Sequence, residues 1–439
     1  MKRISRLLLA TGAASILAVA GCTNNAGVPD NSKDAAEGYD PKAPVTLTWW
    51  TGQTADAQAL AEKLAKEYQA AHPNVTLNVS AGAAETGELL TKLSAAFTSG
   101  TYPDISYAYG TWAAELAGSG RAQDLTTFVA DPAVAWEEFP VAARATATVE
   151  GRVIGVPAVV DNLGLIYNKK LFDRAGVPYP TDTWSWDDFR SAAKKLTDPS
   201  RNIYGTAYSV AGSEDTTWHL WPLLWQRGGK ILDGRKPAFN SDAGVAALEF
   251  LRSMAVDDKS MYLDQTNEKY LPLFFSGSVG MVMSGPWTLY DLKANKVDYG
   301  VASLPGFNGD HQTVSGPDLW VLYNHSDPNR AGASRDFVRW LTSKEVDPRW
   351  NLAIGNLPLR ASEKDSTEFA DYVTTYAPGA QKFFDNFANA KQPRPAVTGY
   401  VEMSGYVGEE ISKVLQGAAP AKGALDEAAR KAAPALTNG

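Results

Sequence analysis

The sequence predicts an α/β fold of more than one domain, and three observations carry that prediction. The chain has 439 residues, well past the roughly 250–300 at which a single hydrophobic core stops growing, so at least two domains are expected. Its composition, 44% hydrophobic and 21% charged with 37 Gly, is that of an ordinary globular protein and excludes a fibrous or wholly disordered product. Short β-branched or aromatic runs alternate with segments of helical periodicity, the pattern of parallel strands covered by helices.

Taken in order, the chain opens with Lys2, Arg3 and Arg6, then an apolar run from Leu7 to Ala20, then Gly21-Cys22. This is the charged, apolar and small-residue order of an export signal. Its 14 apolar residues fall short of the roughly 20 that span a bilayer. Cys22 is the only cysteine, which rules out an intramolecular disulfide and leaves filler, reactive thiol or attachment point. Val19-Ala20-Gly21-Cys22 resembles a bacterial lipobox, which makes Cys22 the acylated first residue of a mature lipoprotein. Removing three basic residues takes the net charge from −8 to −11. With 41 basic against 49 acidic residues, nucleic acid is not an expected partner. Thr23 to Pro44 has little to bury and reads as a flexible tether of roughly 70 Å at full extension.

The folded body begins at Val45 to Trp50, whose β-branched and aromatic residues predict a strand. Leu60, Leu64 and Tyr68 recur at helical spacing, and Pro73 stops that helix after His72. Val75 to Val79 predicts the next strand, Leu89 to Phe97 a helix, and Asp104 to Tyr109 a third strand. The same order resumes with Leu163 to Tyr167, helices over Asp187 to Leu196 and Ala243 to Met254, and an apolar strand over Phe275 to Met281. Asn168 and Gly176 read as the start and stop of a short helix, and Ser185 or Asp187 as the cap of the next. Gly417 and Pro420 separate two helical stretches in the Ala-rich tail.

Catalytic signatures are missing. The sequence has no nucleophile elbow, no phosphate-binding loop, no zinc-protease motif and no dinucleotide fingerprint. Its four His, at 72, 219, 311 and 325, lack ligand spacing, so neither a metal nor a cofactor is expected. Carboxylates from distant segments could still assemble a glycosidase, which keeps an exported glycoside hydrolase open, as does a non-binding envelope lipoprotein. The 13 Trp against 6 Met are more informative. Several indoles stand where strands should end, the edge at which open α/β sheets bind ligands. A flat apolar ring with one N–H donor suits a sugar, although the same indoles serve equally in core packing.

A set of short motifs then narrows the reading. Tyr102-Pro103-Asp104-Ile105, Gly151-Arg152-Val153-Ile154-Gly155-Val156-Pro157, Leu165 to Phe172 and Thr183-Trp184-Ser185-Trp186 follow one another. Gly228-Gly229, Phe275 to Met281, Gly285-Pro286-Trp287, Leu304-Pro305-Gly306 and Asn356-Leu357-Pro358-Leu359-Arg360 continue the series. In that order they resemble the extracellular solute-binding proteins of ATP-binding-cassette sugar importers, the class containing maltose-binding protein.

The resemblance implies a periplasmic-binding-protein-like fold, two α/β lobes joined by several chain crossings with ligand in the cleft between them. It implies crossings near Val160-Asp161, Thr313 to Gly316 and Gly355 to Arg360. Residues 1–21 would then be the lipoprotein signal peptide and 22–44 the acylated cysteine and tether. An N-terminal lobe would comprise 45–160 plus 314–358, and a C-terminal lobe 161–313 plus 359–439. It implies binding without catalysis: a neutral di- or oligosaccharide captured by hinge closure and delivered to the importer's transmembrane permease subunits. A glycerophosphodiester or another polyol stays open as ligand. A monomer is expected, touching the membrane through its lipid anchor alone. Residue by residue, the resemblance puts Trp50, Thr51 and Gln53 of the first-strand loop in the cleft, with Tyr109, Thr111 and Trp112 after the third strand. Asp161 falls where relatives accept bonds from sugar hydroxyls, beside Asn162. Trp218 and Trp287 fall at stacking positions, and Gly316 and Asp318 in a loop where relatives often have Gly-Gly. Arg394 falls at a cleft position, or lies over the surface of its Pro-rich turn.

Overall fold

A computed structural model of the chain describes Pro29, Asn31 and residues 33–437, apart from 54, 85, 213 and 376. The predicted signal segment and Cys22 lie outside the described residues. Two five-stranded sheets organise the molecule. The first combines β1 (Val45–Trp50), β2 (Val75–Ser80), β3 (Ile105–Tyr109), β4 (Gly155–Val159) and, from far along the chain, β10 (Asp318–Leu322). The second holds β5 (Gly164–Asn168), β6 (Tyr204–Ser209), β7 (Met261–Asp264), β8 (Val279–Ser284) and β9 (Tyr299–Ala302). Strand order is β2-β1-β3-β10-β4 in the first and β7-β6-β8-β5-β9 in the second.

Neither sheet is wholly parallel. β10 runs antiparallel to both β3 and β4, and β5 runs antiparallel to β8 and β9. Both are strands that the chain enters by passing between sheets, so no crossover helix forces them parallel. Helices pack on these sheets as their periodicity requires. In Ala55–Ala71 the buried stripe is Ala61, Leu64, Ala65 and Tyr68. Trp186–Leu196 opens with a capping box in which Ser185 and Asp188 satisfy each other's backbone N–H groups. Asn168 caps the helix Lys169–Ala175, and Gly176 ends it at φ 64°. The apolar run predicted as a strand over Phe275 to Met281 divides instead: Tyr270–Phe275 is helical and β8 starts at Val279. Pro272 sits in that helix's first turn, where its missing N–H is harmless.

Three chain passages meet between the sheets. The Ser315 hydroxyl donates to the Asp161 carbonyl at 2.8 Å, and the Thr313 hydroxyl to that of Leu163 at 2.7 Å. Asn386 completes the knot, its amide donating to Asn162 Oδ1 at 2.7 Å and to the Leu163 carbonyl at 2.9 Å. The third passage lies between 363 and 375, later than the predicted Gly355 to Arg360, because the Thr375 carbonyl already accepts from Lys293 and Lys382 pairs with Asp182 at 2.7 Å, both on the second lobe. Leu359 donates to Asp347 Oδ2 at 2.9 Å, and the buried Arg360 guanidinium donates to the carbonyls of Val134 (3.0 Å) and Thr342 (2.6 Å). These bonds tie 359–363 to the first lobe and displace the boundary predicted at 358/359.

The predicted tether also needs correction over its described part. Asn31 donates to the carbonyls of Gly120 and Ala122, Asp34 pairs with Arg335 at 2.7 Å, and Tyr39 donates to Asp336 Oδ2 at 2.9 Å. Residues 31–40 are thus strapped to the first lobe. Polar composition predicts a free segment only while no folded surface offers partners, and Arg335 and Asp336 on helix Pro328–Leu341 offer them.

Candidate functional site

Between the two sheets lies a cavity of about 280 Å³. The first lobe contributes Tyr109 from the end of β3, Thr111 from the turn after it, and Asp318 from the start of β10. That join is tight, because a Cβ on Gly110 would lie 2.3 Å from the Pro317 carbonyl oxygen. The crossing contributes Asp161 and Gly316. A side chain at Gly316 would collide with Asp161 Oδ1 at 2.7 Å and Trp218 at 2.9 Å, so only glycine lets these two approach. Across the cleft stand Trp218, Trp287, Arg394 and the acidic pair Glu214-Asp215.

The aromatic wall is a stacked pair. Trp218 and Trp287 have ring centroids 5.6 Å apart at an interplanar angle of 24°. Trp218 Nε1 and Asp215 Oδ2 are buried with no hydrogen-bond partner in the protein. Arg394 is anchored, its Nη1 donating to Glu214 Oε1 at 2.7 Å while its charge sits 5.5 Å from the Trp218 ring. Glu214 also accepts from the hydroxyls of Tyr400 (3.2 Å) and Ser404. Burial opposes the Arg394 charge, but Glu214 and Tyr400 hold the guanidinium above its ordinary range.

The carboxylates are perturbed in the opposite sense. Asp161 accepts the Gly316 N–H at 2.9 Å, and Asp318 accepts the Tyr107 hydroxyl at 2.5 Å and the Gly110 N–H at 3.2 Å. Burial, with Asp318 beside it, pushes Asp161 well above the usual carboxylate range. Burial pushes Asp318 up to about 7 against the pull of Tyr107, Arg394 and Gly110. Asp215 is raised chiefly by burial too, with His219 opposing. Perturbed acids facing one cavity mark a functional site. The lobes also touch at its edge, where Glu115 Oε1 accepts the Gly399 N–H at 3.1 Å.

A family model described as bacterial extracellular solute-binding protein matches residues 51–348. The chain belongs to this family. It is similar to the cyclic α-maltosyl-1,6-maltose binding protein of Arthrobacter globiformis, with 27% identity, 90% of this chain and 100% of that one covered, and a TM-score of 0.78. It is 22% identical to a maltotriose-binding protein of Pyrococcus abyssi, covering 76% of this chain and 70% of the relative. It is 23% identical to an sn-glycerol-3-phosphate-binding periplasmic protein of Brucella melitensis, covering 90% and 94%.

Within this solute-binding fold the predicted residues divide. Tyr109, Thr111, Asp161, Trp218, Trp287, Gly316, Asp318 and Arg394 come together around the cavity. Gln53 lines a neighbouring compartment that shares Trp287. Four do not line it. Trp50 lies against Gly82 with the Lys92 ammonium 4.9 Å over its ring. The Thr51 hydroxyl, wholly buried, donates to Gln58 Oε1 at 2.5 Å and accepts the Gln53 N–H, joining β1 to the next helix. Trp112 is buried behind Tyr109, its ring 4.7 Å away. Asn162 is consumed by the crossing, donating to the Phe383 carbonyl at 2.8 Å. The resemblance puts the first three at the cleft and Asn162 beside Asp161, and each is drawn off by a partner inside the protein: Lys92, Gln58, Tyr109 and Phe383 in turn. Glu214, Asp215 and Asn267 were missed. An acidic doublet one helical turn before Trp218 was the available signal for the first two.

Among the described residues no three His, Cys, Asp or Glu gather as metal ligands, and no helix is long and apolar enough to cross a membrane.

Proposed function

We propose that this solute-binding protein captures a neutral saccharide in the interlobe cavity and delivers it to the permease subunits of an ATP-binding-cassette importer. The observation that carries the reading is the Trp218–Trp287 stack set beside Asp161 and Asp318, whose hydrogen bonds come from a hydroxyl and backbone N–H groups and not from a cation. Indole faces match the apolar C–H faces of pyranose rings, while Asp161, Asp215 and Asp318 accept from hydroxyls. The relatives named for cyclic maltosyl-maltose and maltotriose favour the same class. A phosphate ester is less well served, because Arg394 already holds Glu214 and the cavity's other ionisable groups are carboxyls and a tyrosine, none of them a cation. Three crossings and the Glu115–Gly399 contact suit hinge closure, in which ligand contacts complete only in the closed form. The permease then reads shape, and no catalysis is needed. On this reading Cys22 carries lipid on the outer face of the cell membrane, the 31–40 strap keeps the monomeric body close to that anchor, and residues 1–21 are removed on export.

A thermal-shift screen over mono-, di- and trisaccharides of differing linkage, with glycerol 3-phosphate and glycerophosphocholine alongside, tests this. A ligand that binds only the folded state must raise Tm, by about 2.7 kcal/mol of stabilisation at one hundred times Kd. A shift with saccharides and none with phosphate esters is expected. A response to the phosphate esters alone would replace the saccharide reading, and release of product from a chromogenic glycoside would replace binding by hydrolysis.

A further inference from the structure

The cleft continues past the cavity. Beyond Trp287 a second compartment of about 640 Å³ opens, with Gln53, Asp56 and Tyr107 on the first-lobe side and Asp291 opposite. A third, of about 570 Å³, follows between the helices Thr288–Ala294 and Thr367–Thr375. Adjacent compartments share walls. Trp287 lines the first and second, and Tyr290 and Ala353 line the second and third. Trp287 and Tyr290 are three positions apart at the start of one helix, so they stand on the same face. The compartments thus adjoin in series, with Trp287 at one border and Tyr290 at the next.

Chemistry changes along this series. Its inner end carries Asp161, Asp215, Asp318 and Arg394, whereas its outer end presents mainly apolar surface from Tyr290, Tyr372, Leu352 and Ala294, with Lys293, Glu368 and Asp371 also in the wall. Tyr290 is 59% exposed, so its ring is open to a ligand that reaches past Trp287. The inner cavity, at about 280 Å³, lies below the ~300–1,000 Å³ typical of small-molecule pockets. A ligand that ended there would leave Tyr290 untouched.

We propose that the ligand is a linear saccharide of at least three units. Its first ring occupies the inner cavity, its chain passes Trp287, and Tyr290 with Tyr372 forms the outermost stacking platform. This rests on the saccharide reading and adds chain length and a distal subsite to it. Outer rings need few polar partners, because water satisfies their hydroxyls while their apolar faces rest on the tyrosines.

Tryptophan-fluorescence titrations of the full chain with malto- and cello-oligosaccharides of one to five units test the proposal, using the parent, Tyr290→Ala and Tyr290→Phe. In one of the two series affinity should climb at least tenfold between one unit and three. Tyr290→Ala should cut the trisaccharide-to-monosaccharide affinity ratio by about three- to tenfold, the worth of one aromatic contact, and Tyr290→Phe should restore it. Affinity independent of length, or a loss from Tyr290→Ala that is equal at every length, overturns this proposal and leaves the saccharide reading standing. Binding of no saccharide by a chain whose Tm shows it folded overturns both.

Discussion

Asp104 and Asp318 are buried aspartates at opposite ends of β3. Asp104 precedes the strand, and Asp318 pairs with its last residue, Tyr109. Asp104 takes both arms of the Arg330 guanidinium, at 2.7 and 2.9 Å, and the Thr48 N–H at 2.8 Å. Asp318 receives only a hydroxyl and a backbone N–H, while the Arg394 beside it bonds Glu214. One carboxylate is spent inside the protein and the other is kept for something that arrives. The difference follows the sheet: ligands bind outside the carboxyl ends of its parallel strands, and the amino ends are sealed by packing.

Substitutions at the two ends should separate these roles. Asp104→Asn takes the counter-charge from the half-buried Arg330, and urea unfolding should show a loss of about 1.5–3 kcal/mol. Saccharide affinity should hold, and a parallel drop in affinity would break the contrast. At the other end the effect appears as a pH dependence. The folded Asp318 carboxyl is raised to about 7 from an ordinary value near 3.9. The folded state therefore keeps a proton that the unfolded chain has released, so ligand-free stability falls as pH rises from about 4 to about 7. The contribution is on the order of 4 kcal/mol, levelling off above that window. Asp318→Asn should flatten this slope in part, since burial also raises Asp161 and Asp215. An unaltered slope would move its origin elsewhere. Smallest in energy is Trp218→Ala, which removes the stack with Trp287 and the cover over Arg394. Saccharide affinity should drop by about tenfold, on the order of 1.4 kcal/mol. Unchanged affinity with reduced stability would return Trp218 to core packing.

Much of the fold was legible in short stretches of sequence. Ser185, Asn168 and Gly176 announce helix ends because capping is a local matter of one side chain and two or three N–H groups. The stripe at Leu64 and Tyr68 announces a buried helix face for the same reason. The strap at 31–40 was not legible, since its partners Arg335 and Asp336 lie some 300 positions away. Of the site, Trp218, Trp287, Asp161 and Asp318 were legible through the family's motif order. Trp50, Thr51 and Asn162 were not separable from true lining residues, because the partners that take them, Lys92, Gln58 and Phe383, are set by the folded structure and not by the motif.

What the sequence alone determined is therefore local and additive: an α/β chain too long for one core, a surplus of indoles near strand ends, a signal-like start and a motif order that names a family. What the tertiary structure decided is which charges meet. Glu214 and Arg394 are 180 residues apart, and only their contact withdraws that cation from Asp161 and Asp318. A carboxylate's burial and counter-charge are set by the sum of long-range contacts around it. No window of sequence contains that sum.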